Sequence, residues 1–126
     1  MPDKSKKILI IEDEEILIGL LQRKLSNEGY EVAVSRDGEE GLMAMREAIP
    51  DLVLLDIVMP KMGGFEVMEE MHKDKRLKAI PIIIISNSGQ PVELDRAKSL
   101  GVKDWLIKAD FVPQEVIDKV IKQIGK

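Results

Sequence analysis

The chain predicts a doubly wound α/β domain built on a largely parallel sheet, and three observations carry that prediction. Apolar runs of strand length alternate with amphipathic stretches of helix length five times over, the order expected of strand–helix–strand crossovers. The runs Ile8-Leu9-Ile10-Ile11, Leu52-Val53-Leu54-Leu55 and Ile82-Ile83-Ile84-Ile85 are apolar at every position, the mark of strands covered on both faces. Each run stops abruptly at polar side chains.

The elements follow in order. Lys6-Lys7 lead into the first strand, which ends at Glu12-Asp13-Glu14-Glu15. Ile16, Leu17, Leu20, Leu21 and Leu25 are spaced for one face of a helix, and Gly29 suits its left-handed cap. Tyr30 to Ser35 reads as a strand around Val32 and Val34, closed by the turn signal Arg36-Asp37-Gly38. Glu39 to Ala48 predicts a second helix with acids in its first turn and Leu42, Met45 and Ile49 inward, ended by Pro50. The third strand closes on Asp56, followed by Ile57-Val58-Met59-Pro60 and Gly63-Gly64. Phe65, Met68 and Met71 carry the next helical face, which runs into the charged stretch Lys73 to Lys78. Ile80-Pro81 introduces the fourth strand, cut off by Ser86-Asn87-Ser88-Gly89. Pro91 suits the first turn of a fourth helix, with Leu94, Ala97 and Leu100 inward and Gly101 as cap. Trp105-Leu106-Ile107 is a short fifth strand ending in Lys108, and Pro113 opens a last helix striped by Val116, Ile117, Val120, Ile121 and Ile124.

Composition narrows the function. At 126 residues, with 44% hydrophobic and 33% charged, the chain fits one domain, residues 1–126, with no linker, repeat or output domain among them. No apolar run approaches the roughly 20 residues of a membrane span, and Met1 to Lys7 lacks a signal-peptide core. Cysteine is absent, which excludes disulfides and thiolate metal sites and fits a cytoplasmic location. A net charge of −4 and only 3% aromatics argue against nucleic-acid binding. His72, the single histidine, sits in a charged helical segment and reads as a solvated surface residue rather than a phosphorelay group; Lys4, Lys6 and Lys7 read as a solvated basic tip. Most of the seven methionines are explained as core filling.

The chemistry is expected where the strands end. Alone, Asp56 is as readily a turn residue as a functional one. In a parallel sheet, however, Glu12-Asp13, Asp56, Ser86 and Lys108 all fall at the same edge, where open α/β sheets place ligands. Two like charges about 4 Å apart repel by roughly 4 kcal/mol at an effective dielectric near 20. Three carboxylates and one lysine therefore call for a further cation, and all-oxygen ligands suit a hard divalent ion such as Mg²⁺ or Mn²⁺. Metal, lysine and hydroxyl together suit phosphoryl transfer, with Asp56 as a carboxylate nucleophile. A flavin or nucleotide site would want a Gly/Ser/Thr-rich loop after the first strand, and the acidic run there would repel its phosphate.

These residues, with Asp37-Gly38, Pro50-Asp51, Met59-Pro60, Gly64, Ile80-Pro81 and Gly101, resemble the response-regulator receiver domain of two-component signalling from end to end. The resemblance implies a flavodoxin-like fold of five strands in order 2-1-3-4-5 with five helices. It implies that Asp56 accepts a phosphoryl group from a histidine kinase or phosphotransfer protein in a self-catalysed step, without turnover as an enzyme. It assigns Mg²⁺ to Asp13, Asp56 and the backbone carbonyl of Val58, with Glu12 acting through water. Ser86 and Lys108 would contact the phosphoryl group, and Ser86 with Trp105 would form the switch. Val58, Asn87 and Ser88 occupy positions that tune hydrolysis in the family. Output to a protein target, and homodimerisation, would use the fourth helix, fifth strand and fifth helix.

Three departures stand out. Trp105 replaces the usual Tyr or Phe, and its larger ring is expected to swing less freely. Asn87 replaces a small residue and is expected to crowd the phosphoryl pocket. Ala109 replaces a proline that is cis in the family; a cis bond before a non-proline costs roughly 2.5–4 kcal/mol, so a trans bond and a reshaped loop are expected. The alternative function is a degenerate receiver that binds protein independently of phosphorylation.

Overall fold

In the computed structural model, which describes residues 5–87, 91–108 and 112–126, strands and helices alternate along the whole chain. They are β1 (Lys7–Ile11), α1 (Glu15–Asn27), β2 (Glu31–Ser35), α2 (Gly38–Glu47), β3 (Leu52–Asp56), α3 (Gly64–Lys73), β4 (Ile82–Ser86), α4 (Pro91–Ser99), β5 (Asp104–Ile107) and α5 (Pro113–Ile124). The strands form one sheet in the order β2-β1-β3-β4-β5, every neighbouring pair parallel. This is the doubly wound parallel sheet expected from the alternation, in the flavodoxin-like order that the resemblance implies. Every residue of β3 and β4 is buried, as their unbroken apolar sequences require.

The pleat sorts these runs into two cores. Leu9, Ile11, Val53, Leu55, Ile82 and Ile84 face Leu42 and Met45 of α2 and Val67, Met68 and Met71 of α3. Ile8, Ile10, Leu52, Leu54, Ile83, Ile85 and Leu106 face Leu21 and Leu25 of α1 and Val116, Ile117 and Val120 of α5. Register pairs Ile8 with Leu52, Val53 with Ile82 and Ile84 with Trp105, so each layer stays on its own side from strand to strand. Each fully buried Leu or Ile contributes about 1.5–3 kcal/mol through loss of apolar surface to water.

Local signals behave as their chemistry dictates, with two corrections. Gly29 adopts φ +98, the left-handed geometry a glycine takes at low cost, and the Asp37 carboxylate caps α2 by accepting the Glu40 N–H at 2.9 Å. Ile16, expected inward on α1, is 90% exposed; the buried stripe is Ile18, Leu21 and Leu25, which turns Ile16 away from the sheet. Ile49, expected inward on α2, is 47% exposed because the helix ends at Glu47 and Ala48 is already extended. Phe65 is half-buried beneath the Arg96 guanidinium, 4.3 Å from its ring centre, and Arg96 also pairs with Glu69 at 2.9 Å. His72 and Asn87 are exposed. Among the described residues no helix is long and apolar enough to cross a membrane.

The edge at which the strands begin is tied by hydrogen bonds to the end of the chain. The buried Tyr30 donates its hydroxyl to the Gly125 carbonyl at 2.7 Å, Lys6 donates to the Ile124 carbonyl, and Lys126 pairs with Glu28 at 2.9 Å. The Asp51 carboxylate accepts the Lys7 backbone N–H at 2.7 Å.

Candidate functional site

At the opposite edge, backbone pairing carries two residues just beyond their strands. The Glu12 N–H donates to the Ser35 carbonyl at 3.0 Å, and the Lys108 N–H to the Ser86 carbonyl at 2.7 Å. The two-residue alternation of a strand then decides which side chains meet. Glu12 continues Ile8 and Ile10, Asp56 continues Leu52 and Leu54, and Lys108 follows Leu106, all on the face covered by α1 and α5. Ser86 continues Ile82 and Ile84 on the other face, where Trp105 pairs with Ile84. The charged groups and the hydroxyl–indole pair thus straddle the sheet edge, joined through the Lys108–Ser86 backbone bond.

Lys108 is the hub of the charged half. Its Nζ lies 3.2 Å from Asp56 Oδ2, 3.2 Å from Glu12 Oε2 and 3.0 Å from Glu14 Oε2, which engages all three ammonium protons. Burial alone would lower the Lys108 pKa, but its bonds to Glu14 and Glu12 and the charge of Asp56 outweigh this and hold it well above the ordinary lysine range. Glu12 is 2% exposed and its Oε2 also accepts the N–H groups of Asp13 and Glu14 at 3.0 and 3.1 Å. Burial, then the charge of Asp56, pushes the Glu12 carboxyl up to about 7 against the opposing pull of the Glu14 N–H and Lys108. Its Oε1 lies 3.1 Å from Lys108 Nζ, close enough to attract but poorly aimed, and makes no hydrogen bond.

Asp56 is 4% exposed, with Oδ1 accepting the Val58 N–H at 3.3 Å and Oδ2 facing Lys108. The loop behind it is drawn tight. Gly64 donates to the Ile57 carbonyl at 2.8 Å, and a side-chain carbon on Gly64 would lie 2.5 Å from the Asp56 carbonyl oxygen, so the start of α3 approaches this strand end only as glycine. Lys61, in the same loop, takes a left-handed φ of 65. Val58 is 75% exposed.

Three carboxylates, from Glu12, Asp13 and Asp56, each offer an oxygen within 4.8 Å of the others. One ammonium does not neutralise them, and Glu12 Oε1 is left without a directed partner. An all-oxygen donor set with an unsatisfied buried oxygen fits a hard divalent cation. A recess of about 580 Å³, lined by Lys108, Glu14, Glu15, Ile16, Leu17 and Leu20, opens beside the cluster.

The predicted set therefore divides. Glu12, Asp13, Asp56 and Lys108 converge directly, and Ser86 lies buried at the same edge on the other face. Trp105 is half-buried beside a 120 Å³ recess lined by Leu94, Ala97, Lys98 and Val102. Ser88 and Ala109 lie outside the described residues, as does Lys4. Glu14 was not singled out by the sequence reading. The run of four acids after β1 held the signal, but not which of them turns toward the lysine.

The family model described as the response regulator receiver domain matches residues 8–121. The chain is 35% identical over 116 residues to the alkaline phosphatase synthesis transcriptional regulatory protein PhoP of Bacillus subtilis, covering 92% of this chain and 47% of that protein. It spans about half the length of most of the curated relatives it matches. Among solved structures it superposes on the chemotaxis protein CheY4 of Vibrio cholerae with TM-score 0.88 at 27% identity, covering 95% of this chain and 99% of that one. The Mn²⁺-bound form of response regulator Rcp1 gives TM-score 0.82 at 25% identity, with 93% and 92% covered. The chain belongs to the response-regulator receiver domains, modules of two-component signalling that bind a divalent metal and interact with histidine kinases or phosphotransfer proteins.

Proposed function

We propose that this receiver is a phosphorylation switch whose phosphoacceptor is Asp56. The supporting observation is a buried carboxylate at a strand end whose Oδ2 lies 3.2 Å from a lysine ammonium, beside two further carboxylates. In the transfer, an Asp56 carboxylate oxygen forms a bond to phosphorus as the phosphorus–nitrogen bond of a phosphohistidine donor breaks. The histidine leaves with the bonding electrons and its imidazole takes up a proton. Lys108 follows the negative charge from the carboxylate to the phosphoryl oxygens with little movement, and Ser86 donates its hydroxyl to another of them. Asp13, Asp56 and the Val58 carbonyl would hold Mg²⁺, with Glu12 acting through water. When bound, the ion supplies positive charge against the phosphoryl oxygens.

Val58, Asn87 and Ser88 are proposed to set the lifetime of the phosphorylated state. Val58 is exposed and apolar, with no group to orient a hydrolytic water, which supports slow decay. The read-out would pass from Ser86 to Trp105, which share one face of the sheet, and on to the α4-β5-α5 surface, where a protein target or a second copy would bind. A cytoplasmic location belongs to the same reading.

The test is incubation with acetyl phosphate and Mg²⁺, followed by intact-mass measurement. The wild type should gain one phosphoryl group and Asp56→Asn none. A wild type that stays unmodified while folded would overturn the switch and leave a phosphorylation-independent binding module.

A further inference from the structure

Lys108 has one more carboxylate than the proposed chemistry uses, and that carboxylate makes its shortest contact. Glu14 Oε2 lies 3.0 Å from Nζ, against 3.1 and 3.2 Å to the Glu12 oxygens and 3.2 Å to Asp56. Glu14 precedes the first residue of α1, where a short polar side chain would ordinarily turn back to cap the helix; its side chain makes no cap bond and points to the lysine instead. Both of its backbone groups are anchored. Its N–H donates to Glu12 Oε2 at 3.1 Å, and its carbonyl accepts the Ile18 N–H at 3.0 Å as the first bond of α1. The carboxylate is thus delivered from a fixed backbone, while the side chain stays 56% exposed at the mouth of the site.

The partners of Lys108 are not equally durable. On the proposed function, the charge that Lys108 meets at Asp56 moves to the phosphoryl oxygens when Asp56 is phosphorylated, and Glu12 belongs to the acidic cluster that a divalent ion would draw together. Glu14 lies outside that three-carboxylate cluster and takes no part in the bond changes of the transfer. We infer that Glu14 is a positioning residue for phosphoryl transfer: it holds the Lys108 ammonium over Asp56 when the metal and phosphoryl group have taken the other two carboxylates.

This inference rests on the phosphorylation reading, and its test separates the two. Phosphorylation rates at saturating acetyl phosphate and Mg²⁺ are measured for wild type, Glu14→Ala, Glu14→Gln, Lys108→Ala and the Glu14→Ala/Lys108→Ala double variant, with folding checked by circular dichroism. Glu14→Ala should lower the maximum rate by about tenfold, the scale of a modest misplacement of a catalytic group. Glu14→Gln, which keeps an acceptor oxygen for Nζ, should recover most of that rate. In the Lys108→Ala background Glu14→Ala should have no further effect, because it acts only through the lysine. A wild-type rate in Glu14→Ala, or an equal loss with and without Lys108, overturns the inference while the switch stands. A general effect of negative charge on the incoming donor would instead make Glu14→Ala and Glu14→Gln both faster, and would also overturn it. A wild type that takes no phosphoryl group overturns both.

Discussion

The two edges of the sheet use charge in opposite ways. Where the strands begin, polar groups close the chain on itself: Tyr30 and Lys6 satisfy carbonyls at the end of α5, and Asp51 satisfies a backbone N–H of β1. Where the strands end, Glu12 and Asp56 are buried beside each other with the half-buried Lys108 as their shared cation, and a tight loop holds Lys61 in a left-handed backbone. The first edge stabilises the fold and has no part in the proposed chemistry. The second holds like-charge repulsion and a left-handed lysine that serve no evident packing role and fit the proposed chemistry, as functional sites commonly do. Polar substitutions should therefore have opposite consequences at the two edges.

The largest effect tests whether Lys108 carries the charge balance. In EDTA at pH 8, Lys108→Ala should cost about 4 kcal/mol of unfolding free energy in urea, the scale for stranding a buried carboxylate. Saturating Mg²⁺ should restore part of it. An unchanged midpoint would break the comparison at its centre.

The next test is pH. The folded state holds the Glu12 proton up to about 7, whereas the unfolded chain releases it near 4.5. Between those values the native state carries more protons, so metal-free stability falls as pH rises through that window. The stabilisation from protonated Glu12 is fully present below pH 4.5 and gone above 7, a change of about 3 kcal/mol at most. Glu12→Gln should flatten the slope in metal-free urea titrations. Glu15 and Asp74, held below the ordinary carboxylate range by Arg36 and by the Arg76 backbone and side chain, act at lower pH with the opposite sign. A metal-free profile that rises through the same window would mean that Glu12 is not buried beside Asp56 as its raised pKa requires.

A smaller effect belongs to the other edge. Tyr30→Phe removes the bond to the Gly125 carbonyl and should cost about 1 kcal/mol in thermal or urea unfolding, while the phosphorylation rate stays at the wild-type value. A changed rate would mean that the two edges are coupled. The smallest effect has the reverse sign. Lys61→Asn, which tolerates the left-handed backbone better, should stabilise the fold by about 0.5 kcal/mol; its lost contact with Asp37, at 3.9 Å and largely exposed on the lysine side, weighs little. A loss of stability would show that the loop is not strained there.

Much of this was legible beforehand because the deciding forces are local. The unbroken apolar runs of β3 and β4 mark fully covered strands, and Gly29 caps its helix through its own backbone freedom, whereas Asp37, read only as part of a turn, also caps α2. The site was legible for a related reason: parallel strands end on one edge, so Glu12, Asp56, Ser86 and Lys108 fall at the same edge once the sheet is recognised. Ile16 and Ile49 were misread because apolar character says that a residue tolerates burial, not that the helix turns or extends far enough to bury it.

The sequence by itself determined the strands, their parallel pairing and the edge that carries the acids, since hydrophobic period and chain connectivity leave few other arrangements, while the order of the strands came from the family resemblance. Only the tertiary structure decided how charge is shared there. Pleat parity put Glu12, Asp56 and Lys108 on one face and Ser86 with Trp105 on the other, and the turn into α1 brought Glu14, rather than its neighbour Glu15, to the lysine. Those choices depend on side-chain direction over a few ångströms, which the fold fixes and composition does not.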